Sequence, residues 1–183
     1  MLLVNAYPLS SGHVHITGPS LSDEIDFDAG YFTDEQQLDV KVLVWLYKQS
    51  RELMRRMKSF RGEYAKWHPK FAQNSRAAVV ATEGPLPLDV SYVDYSEQDD
   101  AAIEQFMRDS IVTMNHSMGT CKMAPKEKGG VVDPTLGVHG VRGLKVADLS
   151  IVPRNVAANT ASTAMAIGEK TADLVIKELG LSN

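Results

Sequence analysis

Helical periodicity in this chain is confined to three windows, because proline and glycine close off most of what lies between them. From about residue 38 to 60, Leu43, Leu46, Tyr47, Ser50, Leu53, Met54, Met57 and Phe60 recur at three and four positions, the stripe of an amphipathic helix. On its outer face Glu52 is placed to reach Arg55 and Arg56, worth roughly a few tenths of a kcal/mol. Residues 61–95 follow with Pro69, Pro85 and Pro87, each lacking a backbone donor and clashing with a preceding helical turn. The second window opens at Ser96, a plausible N-cap, with Glu97, Asp99 and Asp100 where the helix dipole favours negative charge. Ile103, Phe106, Met107 and Ile111 form its buried stripe. The third opens at Asn159 or Thr160, runs through the small residues Ala161, Ser162, Thr163, Ala164 and Ala166, and stops at Gly180.

Extended structure is expected elsewhere. Gly12-His13-Val14-His15-Ile16-Thr17-Gly18 alternates with period two and closes on a Gly-Pro turn. Residues 23–31 read as loop with short extended pieces. Residues 115–143 are dense in glycine and show little periodicity, and residues 144–148 read as a short buried strand. There is no internal repeat and no simple βαβ series, so the class is mixed α/β of the α+β kind.

The bulk properties exclude more than they identify. The 183 residues are 44% hydrophobic and 23% charged, an ordinary globular composition. A net charge of -4 gives no electrostatic reason to expect nucleic acid or an anionic membrane as partner. Cys121 stands alone, which excludes an internal disulfide framework and suits a reducing compartment. No apolar run approaches the roughly 20 residues of a membrane span. Met1 to Val4 lack the basic and apolar regions of a secretory signal, and Leu181-Ser182-Asn183 is not a Ser-Lys-Leu peroxisomal address. The expectation is an intracellular, soluble protein.

Three features carry possible chemistry. His116 follows a helix and precedes a glycine-bearing turn, where a helix presents groups to a cleft; a partly buried histidine bonded to backbone is the plain alternative. Asn159 and Thr160 stand at a helix N-terminus, whose unpaired N–H groups and about half a positive charge suit a developing anion or electron-rich ring. A tight-packing helix cap is the plain alternative there. His13 and His15 share one face of a strand as a possible metal pair, but no third ligand accompanies them at metal spacing, and the structural reading prevails. Cys121 lies in no local signature of a thiol enzyme and reads as a small buried residue.

Four ordered segments take the reading further. His116-Ser117-Met118-Gly119-Thr120-Cys121-Lys122-Met123, then Gly130-Val131-Val132-Asp133-Pro134, then 138–148, then Asn159-Thr160 together resemble the C-terminal signature of the glucose–methanol–choline (GMC) oxidoreductases. The likeness extends over nearly the whole chain. Within the family it is strongest to the fungal alcohol oxidases, through Gly12 to Gly18, Arg55 to Glu63, and Ala147-Asp148-Leu149-Ser150 with Ser162-Thr163-Ala164.

The resemblance implies FAD as cofactor and oxidation of short primary alcohols, methanol-like, to aldehydes, with oxygen reduced to hydrogen peroxide. It implies that His116 takes the alcohol proton as hydride passes to flavin N5, and that Asn159 hydrogen-bonds the alcohol oxygen. Asp148 and Leu149 match the strand end near the flavin's ribityl and phosphate part. Asn159, Thr160 and Ala161 match the helix start beneath its pyrimidine ring. Residues 1–140 then correspond to the C-terminal part of the substrate-binding domain with the catalytic histidine loop, and 141–183 to the last strand and helix of the FAD-binding domain. No Gly-x-Gly-x-x-Gly turn follows a strand anywhere in the chain. Most flavin contacts are therefore expected from an N-terminal part outside this sequence, and the chain alone is expected to be inactive. Asn115 departs from the aromatic residue common at that place. Full-length relatives are expected to be homo-oligomers and peroxisomal. A dehydrogenase using another electron acceptor, or a non-catalytic assembly module, are the alternative functions.

Overall fold

The computed structural model describes residues 2–82 and 84–181. The readings that rest on Met1, Ser182 and Asn183 lie outside the described residues. The chain forms two compact units. The first holds Leu9–Ser11, Gly30–Val112 and the residues up to Asn5; the second holds Ala6–Pro8, Gly12–Ala29 and the chain from Thr113 onward. These units partition the chain by its own contacts, whereas the division at 140/141 concerns a complete family fold.

In the first unit, helix α1 spans Leu38–Arg55 and helix α2 spans Glu97–Ser110. They pack through Val40, Leu43, Tyr47, Ile103 and Met107, with Phe106 and Ile111 alongside. Ile103 and Val40 are fully buried, and each such side chain contributes about 1.5–3 kcal/mol through removal from water. The start of α2 follows from sequence chemistry. Ser96 Oγ accepts the Asp99 N–H at 3.2 Å, and the Asp99 carboxylate accepts the Ser96 N–H at 2.9 Å, closing a capping box. The start of α1 uses Asp34 instead of an adjacent cap: its Oδ2 accepts the Leu38 N–H at 2.5 Å.

The second half of α1 departs from expectation twice. The helix ends at Arg55 rather than near Phe60, because the chain tightens into three-residue turns (Arg56 N–H to Leu53 O, 3.2 Å; Met57 N–H to Met54 O, 3.1 Å). Phe60 is still buried, delivered by a turn instead of a helix. Glu52 does not lie on an outer face. It is 5% exposed, ion-paired to Arg55 at 2.9 Å and to Arg56, and its Oε1 accepts the Val93 N–H at 2.7 Å. The apolar residues Leu53, Met54 and Met57 face outward in its place. Burial follows the loop that covers the helix, and residues 76–95 bring carbonyls and amides that charged side chains satisfy.

In the second unit, β1 (His13–Ile16) pairs antiparallel with β2 (Ile25–Asp28), His13 opposite Asp28 and Ile16 opposite Ile25. The expected strand and its closing turn are present, and all eight strand residues are exposed. Helix α3 spans Ala161–Glu178 with Thr160 as N-cap, and Gly180 beyond its end takes φ +62°. The core consists of Val132, Leu136 and Ile151, packed by Met123, Val146, Ile167 and Leu174 among others. The strand expected at 144–148 does not form. Lys145 makes one bridge to Gly137, flanked by Val138 N–H to Leu144 O at 3.0 Å and Val146 N–H to Leu136 O at 3.1 Å. The pairing stops at that single bridge and its two flanking hydrogen bonds, too short a run to make a strand, and Leu144 stays half exposed. Among the described residues no helix is long and apolar enough to cross a membrane.

Candidate active site

His116 and Asn159 are 43 residues apart in sequence and in direct contact, His116 Nε2 against Asn159 Oδ1. On the other side of the ring, Thr160 Oγ1 lies 3.0 Å and the Asn115 carbonyl 3.1 Å from His116 Nδ1. His116 is half-buried, Asn159 is exposed and Thr160 is 3% exposed, so the cluster has a closed floor and an open face.

Two pieces of backbone create this meeting. The loop after α2 turns at Asn115, which adopts a left-handed conformation (φ +59°), and its N–H donates to Thr113 Oγ1 at 2.9 Å. Asparagine tolerates that region better than most residues, whereas a bulky aromatic is strained there. The departure at Asn115 therefore has a conformational role. Further on, the Cys121 N–H donates to Ser150 O at 2.9 Å and the Met123 N–H to Ile151 O at 2.8 Å. This short ladder ties the His116 loop to the segment leading into α3.

Close approach locks the loop from behind. A Cβ on Gly130 would sit 1.8 Å from the Ala124 carbonyl oxygen, so only glycine lets those two backbones touch. His139 supports the same turn, with Nε2 3.0 Å from Ala124 O.

The first turn of α3 has no side-chain cap, because the Thr160 hydroxyl is turned to His116. Ala161 and Ser162 are exposed. The arrangement presents backbone N–H groups and the positive end of an 18-residue helix beside an imidazole and a carboxamide. Such a set can take a proton from a hydroxyl and stabilise negative charge nearby.

Asp148 and Leu149 make a different part. Asp148 caps a 3-10 turn over Leu149–Ile151, its Oδ1 accepting the Ser150 N–H at 2.7 Å. The Ser150 hydrogen bonds hold its carboxyl below the ordinary aspartate value. The geometry thus brings His116, Asn159 and Thr160 into contact, with Ala161 next along the helix, and places Asp148 and Leu149 on the turn that pairs with residues 121–123. His13 and His15 stack at 5.1 Å, and His13 Nε2 lies 3.2 Å from Asp26 Oδ1. Among the described residues no group of three or more His, Cys, Asp or Glu side chains is arranged to hold a metal ion. Cys121 is a half-buried free thiol.

Sequence reasoning singled out His116, Asn159 and Thr160, which the fold brings into contact, and missed how they touch. The left-handed Asn115, which aims its carbonyl at Nδ1, had one legible signal: asparagine immediately before a candidate histidine in a glycine-rich loop.

Comparison with known proteins bears on the chain as a whole. A family profile described as GMC oxidoreductase matches residues 8–168. An alcohol oxidase of Pichia angusta is 40% identical over an alignment covering 96% of this chain and 33% of that protein. Alcohol oxidase 1 of Komagataella phaffii is 38% identical with the same coverages. Among solved structures, an FAD-dependent oxidoreductase from Chaetomium thermophilum superposes with a TM-score of 0.72 at 30% identity, over 97% of this chain and 26% of that one. The chain spans about a third of the length of the curated relatives it matches.

Proposed function

The chain belongs to the GMC oxidoreductase family, and from that premise we propose that it is the C-terminal portion of an FAD-dependent alcohol oxidase acting on short primary alcohols. Its α+β fold is the C-terminal part of the family's fold. The observation that carries the reading is the meeting of His116, Asn159 and Thr160 at an uncapped helix start.

These residues fit a flavin. The first turn of α3 offers N–H groups that no side chain occupies, and its small, exposed Ala161 and Ser162 let a flat ring approach backbone. Asn159, Thr160 and Ala161 would hold the ring system, and Asp148 with Leu149 the ribityl and phosphate part. When bound, FAD supplies two-electron chemistry, oxidising the alcohol carbon and passing the electrons to oxygen as hydrogen peroxide.

The chain's own contribution is to orient the alcohol and move its proton. The Asn159 amide donates to the alcohol oxygen and fixes it beside the imidazole. The alcohol hydroxyl donates to His116 Nε2, which takes that proton as the alcohol becomes an aldehyde. The helix N-terminus, preorganised by the fold, stabilises negative charge without rearrangement at the moment of reaction.

In this reading residues 1–140 complete a substrate-binding domain and 141–183 a flavin-binding domain, whose remaining parts precede the sequence in the complete protein. Assembly of that protein into homo-oligomers and residence in peroxisomes belong to the same proposal. The test has two stages. The purified 183-residue chain, given excess FAD and then freed of unbound cofactor, is expected to be colourless. The complete protein is expected to retain flavin, to bleach anaerobically with a short primary alcohol, and to form peroxide when air returns. Stoichiometric flavin on the chain alone would overturn the division of labour. Bleaching without peroxide would make the protein a dehydrogenase.

A further inference from the structure

Helix α1 is apolar on two opposite faces. Its inner face, with Val40, Leu43 and Tyr47, forms the core against α2. On its outer face Leu38, Val42, Trp45, Gln49 and Leu53 follow at steps of four, three, four and four, one helical stripe about 22 Å long. All of them except the polar Gln49 are large apolar side chains, and all are exposed, Trp45 at 59% and Leu53 at 63%. Helix α2 in the same unit does the opposite. Its exposed positions include Glu97, Gln98, Gln105 and Asp109, an outer face suited to water. A helix that is hydrophobic all round is ordinarily buried all round, so the two helices demand different surroundings.

We propose that the outward stripe of α1 is the seat of a segment of the same polypeptide that precedes this sequence. The inference rests on the reading of the chain as the C-terminal portion of a longer protein, and two arguments choose this occupant. The chain spans about a third of the length of the curated relatives it matches, so in that reading most of the polypeptide is available to supply the cover. A second copy of the chain fits less well. A stable interface between copies takes roughly 20–30 residues a side, whereas the stripe offers Leu38, Val42, Trp45 and Leu53 in a single row. Association would also cost translational and rotational freedom that a segment tethered in the same polypeptide has already given up. The segment that fits is itself apolar where it meets Trp45, the largest side chain of the row.

The test compares hydroxyl-radical footprints of the complete protein and of the 183-residue chain, read by mass spectrometry, with each residue's rate taken relative to the unfolded protein. Met107, 7% exposed between the helices, sets the level of a buried side chain. In the chain alone Trp45 and Leu53 are expected to be oxidised freely, and in the complete protein to fall to the level of Met107. If Met107 is itself oxidised freely in the chain alone, the complete protein decides. Gln49→p-benzoylphenylalanine, a photo-cross-linker in the middle of the row, identifies the cover. The expected product has the mass of one complete polypeptide and joins residue 49 to a peptide that precedes this sequence. Trp45 as reactive in the folded complete protein as in the unfolded one overturns the proposal. A product with the mass of two polypeptides also overturns it, and assigns the face to a second copy. A protected stripe in a complete protein that binds no flavin and oxidises no alcohol would sink the functional reading and leave the covered face intact.

Discussion

Arg51 holds Glu63 with two parallel hydrogen bonds, Nε to Oε1 at 2.6 Å and Nη2 to Oε2 at 2.7 Å, with only 4% of Arg51 exposed. The same guanidinium donates to the carbonyls of Ala77 at 2.9 Å and Ala78 at 3.2 Å, and Glu63 Oε2 also accepts the Val80 N–H at 2.8 Å. A strand of loop is thereby fastened to α1 by one buried ion pair. Arg51→Leu leaves a buried carboxylate without its counter-charge, held only by the Val80 N–H, and two carbonyls without this donor, and is expected to cost about 3–5 kcal/mol in urea unfolding of the chain. Arg51→Lys is expected to recover little of this, because an ammonium lacks the planar two-pronged geometry. A loss below about 1 kcal/mol in Arg51→Leu would mean the loop is held by something else.

Acid should unfold the first unit in two stages. Burial pushes the Glu63 carboxyl up, but hydrogen bonds from Arg51 and Val80 outweigh it and hold the group below its ordinary 4.5; Glu52 is lowered in the same sense against its burial by Val93 and Arg56. A carboxyl lowered on folding gives stability that is complete above the unfolded value and lost as pH falls through the folded one. His68, whose Nδ1 meets the Tyr47 hydroxyl at 2.7 Å, is pushed below 6.5 chiefly by burial. The unfolded chain therefore gains its proton first, and stability falls as pH drops from about 6.5 towards the folded value. Urea midpoints measured from neutral to acid pH should show both stages. His68→Gln should remove the upper one, and Glu63→Gln should shrink the lower.

The helix pair packs around two fully buried side chains, Ile103 and Val40. Ile103 is wholly buried between α1 and α2. Ile103→Ala is expected to cost about 2–5 kcal/mol, read as a shift in unfolding midpoint at unchanged slope.

Gly130 makes a sharper demand on the second unit. With the Ala124 carbonyl oxygen 1.8 Å from where a Cβ would stand, backbone has to move, and no flexible side chain can yield instead. Gly130→Ala is expected to destabilise by about 3 kcal/mol, the upper end of ordinary overpacking. At Gly140 nothing stands within 4 Å but φ is +81°, so Gly140→Ala should cost only the left-handed penalty of about 1–2 kcal/mol. Equal losses at the two sites, measured by thermal unfolding, would refute the close-contact argument.

For the complete protein, His116→Gln is expected to lower kcat by about 10²- to 10⁴-fold, the range for removal of a general base. Steady-state kinetics with a short primary alcohol would check this. A variant retaining native kcat would remove His116 from the proton transfer.

Much of this was legible in the sequence. Ser96 and Asp99 announced the start of α2, Gly180 the end of α3, and His116 with Asn159 and Thr160 the candidate site. The second half of α1 was not legible. Apolar spacing says that one face of a helix is buried, but which face depends on what covers it. The loop over Glu52, Arg51 and Arg55 brings polar backbone, so charged residues went inside and Leu53 and Met54 outside. The strand at 144–148 failed for a related reason, since apolar composition cannot supply a run of backbone partners, and the segment meets only one, at Lys145 opposite Gly137. At the site, residue types were readable, whereas the ring contacts from Asn115 and Thr160 depend on one left-handed turn and one uncapped helix.

The β1–β2 hairpin has a practical consequence for anyone handling the chain. It displays Ile16 at 88% exposure and Phe27 at 69%, on two strands with open edges. Such ribbons recruit copies of themselves, and a net charge of -4 offers only weak long-range repulsion against that. Losses from solution should therefore follow protein concentration and respond little to ionic strength, and dilute storage is the condition under which the chain keeps best.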